Sequence, residues 1–167
     1  ALYLRDELSY KANLTYNVSD STKAVMLRFP ESYFYKEYQT LFDKQVFEEQ
    51  TSLKNSEQYN AFISKFSKNK FVGQAQDELF EIYRKTNDLQ GLDFYVQNYK
   101  NSHFINEAWK LLYALTVKSY NNAELQSFVQ NYPDFPFKAS INKEIELNNK
   151  ILIPVNDSDF VGFIFKG

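Results

Sequence analysis

The residues able to do acid–base, nucleophilic or metal chemistry are few in this 167-residue chain, and they are scattered. There is one histidine, His103, and no cysteine. A lone imidazole without thiolates makes no zinc site, and a chain without cysteine has neither a thiol nucleophile nor a disulfide. His103 reads as a first-turn, solvent-facing residue. The carboxylates at Glu48-Glu49, Asp77-Glu78 and Glu144 with Glu146 are neighbours in sequence. On a helix, residues one or two apart point in different directions, so these read as solvated faces. Asp157-Ser158-Asp159 is half of a calcium loop that lacks its glycine and distal glutamate. Glycine stands at 73, 91, 162 and 167 only, which permits no phosphate-cradling loop, and there is no Gly-x-Ser-x-Gly elbow. Lys65, Lys68 and Lys70 form a small basic cluster that reads as a solubilising turn. No catalytic, cofactor-binding or metal-ligating residue is expected.

What remains is aromatic. Thirteen Tyr, sixteen Phe and one Trp make up 18% of the chain. Among them Phe80 with Tyr83, and Trp109 with Tyr113, are spaced three and four residues apart, so each pair shares a helix face. Tyrosine and tryptophan are frequent anchors in binding sites. These four residues are the candidate partner-binding positions, set against the plainer alternative that they pack between helices.

The elements that must position them follow from a repeat. Phe29, Phe66, Tyr99 and Tyr132 recur at separations of 37, 33 and 33 residues. Five residues after each stands a phenylalanine: Phe34, Phe71, Phe104 and Phe137. Apolar residues follow at nine and thirteen after the anchor, and precede it at three and four, joined at seven by Tyr59, Leu92 and Leu125. These offsets are helical, and they describe two helices per unit with a tight turn at the anchor. Ser32, Asn69 and Ser102 stand where the second helix is expected to find its cap, with Asp134 as the cap and Pro136 in the first turn in the last unit. Asn87-Asp88 and Asn121-Asn122 suit the links between units. The units run about 20–51, 56–86, 88–120 and 121–150, preceded by a helix over 2–16 whose apolar stripe is Leu4, Leu8 and Ala12. The spacing therefore predicts an all-α chain, a solenoid of antiparallel helix pairs over 1–150. Residues 151–155 and 160–165, rich in branched and aromatic side chains around a turn cluster at 156–159, are expected to form a short β-hairpin over 151–167 that opens a following domain.

The unit Tyr/Phe-Pro-x-Ser-x-Phe-x-x-x-Ala-x-x-x-Leu resembles the tetratricopeptide-like repeats of bacterial cell-envelope proteins, in particular helical regions of Bacteroidetes envelope proteins that precede β-rich domains. The likeness covers about residues 20–150. Only two of the four units keep the proline, and the glycine and tryptophan positions usual in such repeats are not met. The resemblance implies a tetratricopeptide-like fold and a non-catalytic scaffold or spacer that binds a protein, a peptide or an adjacent domain. It also implies a periplasmic or cell-envelope location, possible cell-wall association, and a signal peptide removed or outside the sequence. The alternative is an accessory region of a larger enzyme that binds glycan or peptide. A net charge of −2 argues against a general nucleic-acid binder. The longest apolar run, Leu111 to Val117, is too short to span a bilayer.

Overall fold

The computed structural model describes residues 2–16 and 18–151, and among them the secondary structure is entirely helical. It falls into two compact units, Ala1–Lys85 and Thr86–Gly167. The first contains α1 (Leu2–Tyr16), α2 (Ser19–Arg28), α3 (Tyr35–Gln50), α4 (Ser56–Lys65) and all but the last residue of α5 (Val72–Thr86). The second contains α6 (Leu89–Asn98), α7 (Ile105–Thr116), α8 (Asn122–Asn131) and α9 (Lys138–Ile151). The even-numbered helices have ten residues each, and the odd-numbered ones twelve to sixteen. Ile151 closes α9, so the first residue of the expected hairpin is helical; the rest of that hairpin lies outside the described residues. No helix among the described residues is long and apolar enough to cross a membrane.

In most of the helices the apolar residues return every three to four positions and fall on one buried stripe, but the stripe expected for α1 does not: Leu4 and Leu8 are 63% and 68% exposed, and Asp6 is the residue buried there. In α6 the stripe is Leu92, Tyr95 and Val96; in α7 it is Ala108, Trp109 and Leu112; in α8 it is Leu125 and Phe128. Leu79, Leu92, Leu112 and Leu125 are completely buried. Burying a leucine side chain stabilises a fold by roughly 2 kcal/mol. The first pair is different. Thr22 takes the buried place filled by Tyr59, Leu92 and Leu125 in the later pairs, and its hydroxyl donates to Gln45 Oε1 at 2.6 Å. Nearby, the Ser19 amide and hydroxyl donate to the two carboxylate oxygens of Glu49, at 2.8 and 2.6 Å.

In the first unit the regular phenylalanines Phe34 and Phe71 form the seam between successive pairs. There Tyr10 of α1 stacks on Phe34 with centroids 5.5 Å apart, and Phe47 of α3 stacks on Phe71 at the same distance. In the second unit Tyr113 of α7 stacks on Phe135 instead, at 5.8 Å, while Phe137 turns aside toward Lys110.

The links repeat as closely as the helices. Lys54, Asn87 and Tyr120, each 33 residues from the next, have φ of +50°, +50° and +53°. After each comes a cap. Asn55, Asp88 and Asn121 accept, through their side chains, the amides of Gln58, Gly91 and Glu124, all at 2.9 Å. The caps expected for the odd-numbered helices fall elsewhere. α3 and α7 begin at Tyr35 and Ile105, with Phe34 and Phe104 in the cap position and no side-chain cap. Ser32 and Asn69 act one step earlier, accepting the amides of Phe34 and Phe71 at 3.2 and 2.9 Å, and so shape the turn rather than the helix end. Asp134 stands four residues before α9, which begins at Lys138, and its carboxylate pairs with Lys100 at 2.8 Å.

Candidate functional site

The four candidate rings occupy different surroundings. In the first unit Phe80 and Tyr83 lie on one face of α5 and are 3% and 4% exposed. Tyr83 accepts a hydrogen bond at its hydroxyl from Asn60 Nδ2 at 2.9 Å, which ties α5 to α4. In the second unit Trp109 and Tyr113 meet around Phe135, with centroids 5.7 and 5.8 Å from that ring. Phe135 comes from the turn between α8 and α9, beyond any local spacing that could have flagged it. Tyr113 is half-buried. Its hydroxyl donates to Glu144 Oε2 at 3.4 Å, and burial, reinforced by the Glu144 charge, pushes its pKa up to about 12. It is therefore a neutral donor at physiological pH.

Trp109 is 6% exposed, and it forms part of the wall of an open groove. This groove, about 350 Å³, runs along Val96, Trp109, Tyr132 and Pro133 beneath the Lys100–Asp134 ion pair. An adjoining recess of about 210 Å³ shares Val96, Lys100, Trp109 and Asp134 and adds Pro136. Tyr132 stands edge-on to Trp109 at 5.7 Å, so the indole is fixed on two sides by rings. The groove thus joins an apolar, aromatic wall with an exposed cation and anion. That combination suits an extended chain with alternating character, since aromatic surface supplies contact area and the charges set orientation.

The first unit has a groove at the corresponding place. It measures about 310 Å³ and is lined by Arg5, Asp6, Arg28, Phe29, Pro30 and the residues that follow on the same turn. Asp6, Arg28, Phe29, Pro30 and Glu31 stand 103 residues before Trp109, Asn131, Tyr132, Pro133 and Asp134. That interval is three repeat lengths. Each groove is therefore the cleft between an odd-numbered helix and the next anchor turn. Asp6 is 5% exposed, and Arg5 donates from Nε and Nη2 to its Oδ1, at 3.2 and 2.9 Å. This bond to Arg5 holds the Asp6 carboxyl below the usual carboxylate range, with the Ser32 hydroxyl and the Tyr33 amide adding to the effect. The aromatic spacing led to Trp109. Neither Arg5 nor Arg28 carries a motif, and only the repeat register shows that they stand at a matching place. Among the described residues no group of three or more His, Asp or Glu is gathered as a metal site would need.

The chain matches no known protein-family model, and neither a curated protein nor a solved structure is significantly similar to it.

Proposed function

We propose that the chain is a non-catalytic interaction scaffold, a tetratricopeptide-like solenoid of helix pairs that holds an extended protein segment in a bacterial cell envelope. The recurrence of a groove at one repeat position, three units apart, supports this reading most directly. A repeat stack needs each unit to bury its neighbour's apolar face, and it leaves the turn edges free to vary. Aromatic seam residues such as Tyr10, Phe47 and Tyr113 serve the first requirement. The side chains around Trp109 serve the second: a floor of rings, and ions at the mouth. In this reading Phe80 and Tyr83 hold α5 in place, and Trp109 with Tyr113 supports the surface that a partner meets.

Trp109 is the chain's single tryptophan, so its fluorescence reports this groove alone. Titration with extended peptides taken from envelope proteins is expected to give a saturable shift in emission. A flat response across such peptides, together with no cross-linked partner from an envelope extract, removes the scaffold reading. A saturable response to cell-wall oligosaccharides instead would support the alternative, a glycan-binding accessory region of a larger enzyme.

A further inference from the structure

The groove of the first unit gathers two of the chain's three arginines onto one ring. The guanidinium carbon of Arg5 lies 4.6 Å from the Phe29 centroid, and that of Arg28 lies 5.4 Å from it. A guanidinium held against an aromatic face keeps its N–H edge free for a planar acceptor and loses less freedom when it binds one. The two arginines divide the work. Arg5 is committed to buried Asp6, whose carboxylate is also served by Ser32 and Tyr33. Arg28 forms no ion pair among the described residues and is exposed at the end of α2. Its guanidinium lies over the Phe29 ring, and no ion pair among the described residues fills its fork. Glu31, exposed on the same turn, offsets part of the positive field. Recognition here therefore depends on the geometry of the fork more than on net charge.

We propose that this groove binds a carboxylate of an acidic peptide segment, with Arg28 as the bidentate donor, Arg5 and Phe29 as the surface that orients it, and Pro30 as part of the wall. Arginine pairs with carboxylates through two parallel N–H···O bonds, which lysine cannot reproduce. The inference rests on the scaffold reading and names the partner's chemistry at one of its two grooves. In the second unit Asn131 replaces Arg28 and Trp109 replaces Asp6, so a carboxylate has no guanidinium to meet there.

The test uses fluorescence anisotropy of labelled, end-blocked tetraglutamate and tetraglutamine peptides. The wild-type chain is expected to bind tetraglutamate at least about tenfold more tightly. Arg28→Gln should remove that preference, Arg28→Lys should fail to restore it, and Glu31→Gln should tighten binding. Both positions are exposed, and circular dichroism checks that each variant keeps its helices. Equal affinity for the two peptides, or a preference unchanged in Arg28→Gln, overturns the proposal. So does binding of inorganic phosphate that tetraglutamate cannot displace. The Trp109 titration separates this result from the broader reading. If uncharged peptides still shift the indole emission while the carboxylate preference is missing, the scaffold stands and the carboxylate site falls. If neither signal appears, both fall.

Discussion

The two grooves occupy one repeat position and differ in almost every side chain that gives them chemistry. In the first unit a buried carboxylate, Asp6, faces the anchor turn and is held by Arg5. In the second unit that position is Trp109, packed edge-on between Tyr132 and Phe135. The proline after the anchor and an acidic residue after that are common to both, as Pro30-Glu31 and Pro133-Asp134. The backbone device is thus shared. The helix stripes and the anchor turn place the groove, and the residue on the odd-numbered helix decides whether it is ionic or aromatic. A repeat can vary its ligand chemistry in this way without altering the contacts that stack it.

This contrast breaks most easily at Trp109. If the indole is core as well as groove, Trp109→Ala should destabilise the second unit by about 3–5 kcal/mol, the range for removing a buried large aromatic. Urea unfolding measures it, and hydrogen exchange of α7 and α8 locates it. A loss under about 1 kcal/mol would mean that the indole is only laid on the surface, and that the aromatic groove is not built into the fold.

The corresponding experiment in the first unit is smaller and depends on pH. The Asp6 carboxyl sits below its ordinary pKa, chiefly because Arg5 donates to it. Its contribution to stability is therefore complete at neutral pH, and it disappears as the pH falls below the ordinary carboxylate value and through the folded-state value. Arg5→Gln should lower stability at neutral pH, and the gap from wild type should narrow in acid and close only once the pH lies below the lowered folded-state pKa of Asp6, where the carboxyl is protonated in both. Unfolding curves at the two pH values test this. A gap of equal size at both would show that Arg5 acts through its packing on Phe29 and not through Asp6.

The same contrast explains which features were legible in the sequence. The helices were, because Leu92, Tyr95 and Val96, or Ala108 and Leu112, recur at spacings that leave a helix one way to bury them. The links were also legible, since Asp88 and Asn121 are strong cap formers next to residues that tolerate a turn. The helix starts after each anchor were not. Ser32 and Asn69 bond two residues ahead and delay the helix, and a short polar side chain can do that or cap with equal ease. Trp109 could be singled out by type and spacing. Its partners could not, because Tyr132 and Phe135 come from the next turn, and Phe135 takes the seam position that the repeat assigned to Phe137. Asp6 was the least visible. A charged residue beside an arginine on a helix reads as solvated, and its burial follows from Ser32 and Tyr33, which arrive more than twenty residues later.

The smallest effect tests the shared part. Asn55 in the first unit and Asn121 in the second each follow a left-handed residue and accept the amide three residues on at 2.9 Å. Each is also answered from that third residue: Gln58 accepts the Leu53 amide, and Glu124 accepts those of Lys118 and Ser119. This is the reciprocal arrangement of a capping box shifted into the preceding loop. The bonds to the Ser119 and Lys118 amides also hold the Glu124 carboxyl below its usual range, so its half of the box is present at neutral pH and lost in acid, while the uncharged Gln58 half is not. Asn55→Ala and Asn121→Ala should therefore cost the same, about 1 kcal/mol each, at neutral pH. Clearly unequal costs in urea unfolding would mean that the links differ as the grooves do, and that the repeat is shared in its outline but not in its backbone energetics.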